Sequence, residues 1–73
     1  MSTFPERLIK LQSDRKILKK DISSAVGISV MAYYRYEKGV RQPDLPLLVS
    51  LADYFGVSID YLTGRTDKPE VNK

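Results

Sequence analysis

Five side chains between positions 30 and 38 carry the chemistry in this sequence. They lie within GISVMAYYRYEKGVRQPD, residues 27–44. A helical projection at about 100° per residue sends Tyr33 and Tyr36 to one side, with Glu37 beside them. Met31, Tyr34, Arg35 and Lys38 point the other way, and Val30 lies at the exposed N-terminal end. One flank therefore carries an apolar tip, a phenol, a guanidinium and an ammonium. That set suits the base edges and phosphates of a nucleic acid. Val30 and Met31 can contact thymine methyls, and Arg35 can pair bidentately with guanine in the major groove, worth about 1–3 kcal/mol of discrimination. Tyr34 can donate to a base or a phosphate. Lys38 and Arg41, at and just past the helix end, are placed for the backbone. Lys19 and Lys20 add charge and free N–H groups at the start of the preceding helix. Each residue has an ordinary alternative: Arg35 as a solubilising surface charge, Tyr34 packed sideways into a core or dimer contact, Val30 and Met31 as helix fillers.

The elements that must hold this flank in place read as short helices, with no strand alternation and no internal repeat. TFPERLIKLQSDR has Thr3 and Glu6 at capping-box spacing and Pro5 in the first turn, followed by an apolar face of Phe4, Leu8 and Leu11. LKKDISSAV forms the second helix, with Ile22 and Val26 four apart and Gly27 as the stop. SVMAYYRYEK is the third, from the cap Ser29 to Gly39. DLPLLVSLADYF is the fourth, between Asp44 and Gly56, and SIDYLTG is a short fifth, capped by Ser58. Only GIS separates the second helix from the third, and the small Ser23 permits a close crossing, so this pair reads as a helix-turn-helix. The expected core is Phe4, Leu8, Leu11, Ile17, Ile22, Val26, Ile28, Tyr33, Tyr36, Leu48, Leu51, Ala52, Phe55, Val57, Ile59 and Leu62. One domain over residues 1–64 and a polar C-terminal tail over 65–73 account for the 73 residues.

Charge agrees with the helical projection. Residues 15–41 hold seven cations opposed only by Asp21 and Glu37, whereas residues 42–73 hold three cations against five carboxylates. A basic middle segment is the electrostatic footprint expected for a polyanion, or simply a solvated face. Neither Cys nor His is present, and the carboxylates are scattered at helix caps, so no acid–base pair, thiolate site or metal cluster emerges and an enzyme is not expected. No cofactor and no small-molecule ligand are expected. No apolar run approaches the ~18 residues of a membrane span and the N-terminus lacks a signal-peptide core, so the expectation is a cytoplasmic protein without a membrane partner.

The motifs RLIKL, AVGIS, RYEKGVRQP and LADYFGVSIDYLTGRTD resemble those of Cro/repressor-type helix-turn-helix proteins of the xenobiotic-response-element (XRE) class, bacterial or phage. The resemblance runs without a gap from Arg7 to about Asp67. It implies an all-α, five-helix, lambda-repressor-like DNA-binding domain whose third helix reads the major groove. It also implies a two-fold homodimer on a palindromic operator in double-stranded DNA. Base contacts then fall at Val30, Met31, Tyr34 and Arg35, and phosphate contacts at Lys19, Lys38 and Arg41. Glu37 matches a buried glutamate that in the family often pairs with an arginine of the first helix. Gln12 occupies that arginine's place, so a Gln12–Glu37 hydrogen bond is expected. Three further departures are visible: Leu18-Lys19 stands where the family usually has Thr-Gln, Lys16 where it often has Gly, and Tyr33 where it has Ile or Val.

The function expected on these grounds is a sequence-specific transcriptional regulator, with repression the leading reading and activation left open. Its dimer contact would lie on the last helix and tail near Tyr54, Ile59, Tyr61 and Leu62, with Tyr54 and Tyr61 as core-edge residues the alternative. The competing expectation is an antitoxin or other protein-interaction module on the same scaffold, since Met and Tyr are common in protein interfaces.

Overall fold

Side-chain caps set where four of the five helices begin. In the computed structural model, which describes residues 3–70, the elements are α1 (Phe4–Asp14), α2 (Lys19–Val26), α3 (Val30–Lys38), α4 (Leu45–Phe55) and α5 (Ile59–Leu62). Thr3 and Glu6 form the reciprocal box: the Glu6 amide donates to the Thr3 hydroxyl at 3.4 Å and the Thr3 amide to the Glu6 carboxylate at 3.1 Å. Ser29, Asp44 and Ser58 accept from the amides of Ala32, Leu47 and Tyr61, each at 3.0 Å. Each of these bonds satisfies a backbone donor that the helix itself leaves open. No side chain caps α2, because Leu18 has nothing to offer.

Two left-handed residues shape the turns around α2. Gly27 sits at φ 77°, and the Ile28 amide donates to the Ser23 carbonyl at 2.9 Å, closing a glycine C-cap. Lys16 sits at φ 54° and is the only non-glycine in that region among the described residues. It stands where the sequence departs from the family's glycine, and the turn keeps its left-handed geometry despite the side chain.

α1 packs against α3 and α5, α2 against α3 and α4, and α4 against α5. Tyr33, Phe55, Leu8, Ile22, Leu51 and Leu62 are fully buried at the centre. Phe4, Ile17, Val26, Ile28 and Leu48 form a half-buried rim around it. Ser23 is buried at the α2 crossing and returns its hydroxyl to the Lys19 carbonyl at 2.7 Å, so its small size is used without an orphaned donor.

Two expectations about α5 are corrected. Ile59 is not core: it is 37% exposed, because α5 is one turn long and Ile59 stands at its open first position. Tyr61 takes the inward place instead, under the guanidinium of Arg7. Tyr61 and Leu62, at 8% and 0% exposed, are thus closed off within one copy of the chain and cannot form a dimer contact as they stand. Val49, Tyr54 and Ile59 are the apolar residues that face outward there.

Residues 65–70 return against the domain. The Ser58 amide donates to the Pro69 carbonyl at 2.9 Å, and Arg7 donates to the Thr66 carbonyl at 3.2 Å and to the Asp67 carboxylate at 2.7 Å. Positions 71–73 of the expected tail lie outside the described residues. Among the described residues there is no strand, and no helix is long and apolar enough to cross a membrane.

Candidate nucleic-acid interface

The nine residues of α3 divide cleanly. Tyr33, Tyr36 and Glu37 are buried against the other helices. Val30, Met31, Tyr34, Arg35 and Lys38 are exposed on the opposite flank, with Met31 at 59% and Tyr34 at 43%. Arg41 is exposed three residues past the helix end. Ser29 and Gly39 stop the helix at either end, and the Gly39 amide bonds back to Arg35 and Tyr36. The rod is therefore short, capped and anchored by two tyrosines, and its outer flank is free to meet a surface.

The cations on that flank are not neutralised by the protein. Among the described residues, Arg35, Lys38 and Arg41 have no carboxylate within ion-pair distance; the pairs present are Arg7–Asp67, Lys10–Asp14 and Lys19–Glu37. The start of α2 adds two backbone donors. The amides of Lys19 and Lys20 have no protein acceptor among the described residues, while the Asp21 amide returns to the Leu18 carbonyl at 3.0 Å. Open amides at a helix start favour an anion through their own dipoles and that of the helix.

Lys19 differs from the other cations named as phosphate contacts. Its ammonium lies 2.9 Å from Glu37 Oε1, and the Glu37 side chain is 5% exposed. The expected Gln12–Glu37 bond is absent. Gln12 instead donates to the Ile17 carbonyl at 2.6 Å, closing the turn that Lys16 bends. A full positive charge is the stronger partner for a buried carboxylate, and α2 carries Lys19 into reach of it. The same ammonium sits 5.3 Å from the centroid of the Tyr34 ring, and that of Lys38 sits 5.1 Å from it.

Beneath this surface, Tyr33 is fully buried and its hydroxyl has no hydrogen-bond partner among the described residues. Burial, and then the nearby charge of Glu37, push the Tyr33 phenol well above its ordinary pKa of 10.0. Arg7, which organises the C-terminal end of the domain, is not among the residues expected from the sequence to have a role. A signal for it existed: Arg7 falls on the apolar stripe of Phe4, Leu8 and Leu11, an unusual place for a charge that has no buried role.

Among the described residues no group of three or more His, Cys, Asp or Glu side chains is arranged to hold a metal ion. What the arrangement offers is an exposed, cationic and aromatic ridge beside an open helix start.

Comparison with known proteins bears on what such a ridge meets. The family model described as helix-turn-helix matches residues 6–62. The chain is 35% identical over 67 residues to the HTH-type transcriptional regulator YobD of Bacillus subtilis (strain 168), covering 92% of this chain and 60% of that protein. It is 37% identical over 59 residues to the cryptic phage CTXphi transcriptional repressor RstR of Vibrio cholerae, covering 77% of this chain and 53% of that one. The chain thus spans three fifths or less of the length of these relatives. Among solved structures, the P22 c2 repressor protein in complex with a synthetic operator superimposes with a TM-score of 0.80 at 25% identity, covering 86% of this chain and 96% of that one.

Proposed function

This chain belongs to the helix-turn-helix family, in its Cro/repressor or XRE-type branch, and from that membership we propose that it is a sequence-specific transcriptional regulator that binds double-stranded DNA. Residues 1–64 are the DNA-binding unit and residues 65–73 a polar tail. In this reading α3 enters the major groove. Arg35 reads guanine, Val30 and Met31 meet thymine methyls, and Tyr34 donates to a base or phosphate. Lys38 and Arg41 meet phosphates, and the start of α2 at Lys19 presents its open amides to another. The observation that carries the reading is the two-sidedness of α3: its tyrosine anchors are buried while Arg35 and Lys38 are exposed and have no carboxylate partner among the described residues. The P22 c2 repressor, which shares the fold and is bound to a synthetic operator, supports double-stranded DNA as the partner.

The domain measures 30 × 24 × 21 Å. Half-sites one helical turn apart are about 34 Å from centre to centre, so one copy reads one half-site. The proposal therefore includes a symmetric homodimer on a palindromic operator, with Val49, Tyr54 and Ile59 at the contact, and repression as the outcome, acting in the cytoplasm. Selection of binding sites from random duplex DNA at two salt concentrations tests it. The expected result is an enriched two-fold motif whose affinity falls steeply with salt. No association even in dilute buffer refutes DNA binding and favours a protein partner for the Met31 and Tyr34 surface, whereas association indifferent to salt refutes the phosphate contacts at Lys38 and Arg41.

A further inference from the structure

We infer that Lys19 is a positioning residue of the reading surface: its ammonium, held by the buried Glu37, fixes the ring of Tyr34 and so the direction in which α3 presents the Tyr34 hydroxyl. The inference rests on α3 being the reading helix, and it gives Lys19 a different role from Lys38 and Arg41.

Three observations lead there. Glu37 is buried on the inner side of α3, its Oε1 lies 2.9 Å from Lys19, and its Oε2 has no hydrogen-bond partner among the described residues. Lys19 is thus the one cation paired with a carboxylate that would otherwise be buried and uncompensated, an arrangement that strongly resists removal of either partner. Second, the clasped ammonium lies 5.3 Å from the Tyr34 centroid, and Lys38, one turn along α3, contributes a second ammonium at 5.1 Å. Both distances are within the range of attraction between a cation and an aromatic face. Third, these groups meet in a shallow cleft lined by Ile9, Gln12, Lys19, Tyr34, Glu37 and Lys38. Tyr34 therefore borders both the clasp and the exposed flank.

A tyrosine held in one rotamer before it meets DNA loses little freedom on binding, and affinity and selectivity gain by that amount. The cost to Lys19 is its availability. A charge already satisfied by Glu37 adds little to the release of counterions from DNA. Lys19 then acts on base preference through Tyr34, while its backbone amide remains open at the helix start.

The test uses the full chain and two variants. Lys19→Met/Glu37→Gln removes the clasp without leaving a buried charge and without altering net charge; Lys19→Arg keeps a cation in place. In the free protein, three-bond couplings report the Tyr34 χ1 populations. In the complex with the selected duplex, the slope of log affinity against log salt counts phosphate contacts. The expected result for the double variant is an averaged Tyr34 χ1, roughly tenfold weaker discrimination at one base pair, and an unchanged salt slope. Lys19→Arg should retain all three wild-type values. Unchanged Tyr34 couplings in the double variant, or a salt slope reduced by about 0.9 per half-site, the signature of one lost phosphate contact in each copy, overturns the inference. If the unaltered chain binds no duplex, the proposed function fails by itself, and the couplings in the free protein still decide whether Lys19 holds Tyr34.

Discussion

The guanidinium of Arg7 lies over the ring of Tyr61, 4.1 Å from its centroid, and joins the first helix to the last. Arg7 is buried, while its ionic partner Asp67 is 98% exposed. Solvent screens the ion pair, so most of what Arg7 contributes is the covering of Tyr61 and the packing of its own stem. Thermal unfolding should rank the variants accordingly: Arg7→Ala lowers the midpoint by several degrees, whereas Asp67→Asn and Tyr61→Phe change it little. Equal losses for Arg7→Ala and Asp67→Asn would place the stabilisation in the ion pair instead.

The turn between α1 and α2 carries two local faults that substitution should repair. Lys16 holds a left-handed backbone that costs an L-residue roughly 1–2 kcal/mol. Glycine relieves that cost but loses more entropy on folding, so Lys16→Gly should stabilise by about 0.5–1 kcal/mol. Leu18 already has the extended backbone of a helix cap, at φ −73° and ψ 140°, and is 60% exposed. Leu18→Ser should therefore add up to about 1 kcal/mol, its hydroxyl sharing the Asp21 amide with the carbonyl of residue 18, and it leaves the amides of Lys19 and Lys20 open. Urea denaturation midpoints check both.

These faults also mark how far the sequence could be read. The caps Thr3, Ser29, Asp44 and Ser58 and the stop at Gly27 act within three or four residues of themselves, so helix ends and the tight α2–α3 turn were legible from neighbours alone. The sidedness of α3 was legible too, since a single period separates Tyr33 and Tyr36 from Met31, Tyr34 and Arg35. Partner choice was not. Lys19 and Glu37 stand eighteen positions apart and Arg7 and Asp67 sixty. Whether a carboxylate meets Gln12 or Lys19 depends on how α1 and α2 both lie against α3, which no local pattern encodes. Ile59 and Tyr61 were exchanged for a similar reason: in a single-turn helix, periodicity does not settle which side chain faces in, and the arginine that covers Tyr61 comes from the far end of the chain.

Tyr33 gives a pH dependence on the alkaline side. Its phenol is raised above the ordinary 10.0, mainly by burial. The folded state therefore keeps a proton that the unfolded state gives up. The resulting stability is fully present below pH 10 and is lost as pH rises beyond it, at up to about 1.4 kcal/mol per pH unit. Tyr33→Phe removes both the titration and an unpartnered buried hydroxyl. It should match or exceed the parent stability at pH 7, by about 1 kcal/mol at most, and lose less between pH 10 and 11. Denaturant midpoints across that range would show parallel declines in the two proteins if Tyr33 is not the group responsible.

Arg35, Lys38 and Arg41 share charge and exposure, yet they should fail differently when removed. If Arg35 reads a guanine, Arg35→Ala costs about 1–3 kcal/mol on the selected site and relaxes preference at one base pair per half-site. It should leave binding to unrelated duplexes much less affected, because the phosphate contacts persist. Lys38→Ala and Arg41→Ala remove charge from the backbone side. Each should weaken selected and unrelated duplexes by similar factors and lower the salt slope by about 0.9 per half-site. The Lys38 change has a second effect that Arg41→Ala lacks, since the Lys38 ammonium is one of two beside the Tyr34 ring. Lys38→Ala should therefore also disturb the preference that Tyr34 contributes, and of the two it alone should show both signatures. Binding-site selection repeated with each variant, with titrations at several salt concentrations, separates the outcomes. An unchanged motif with Arg35→Ala would remove Arg35 from the base-reading set and leave Val30, Met31 and Tyr34 to account for selectivity.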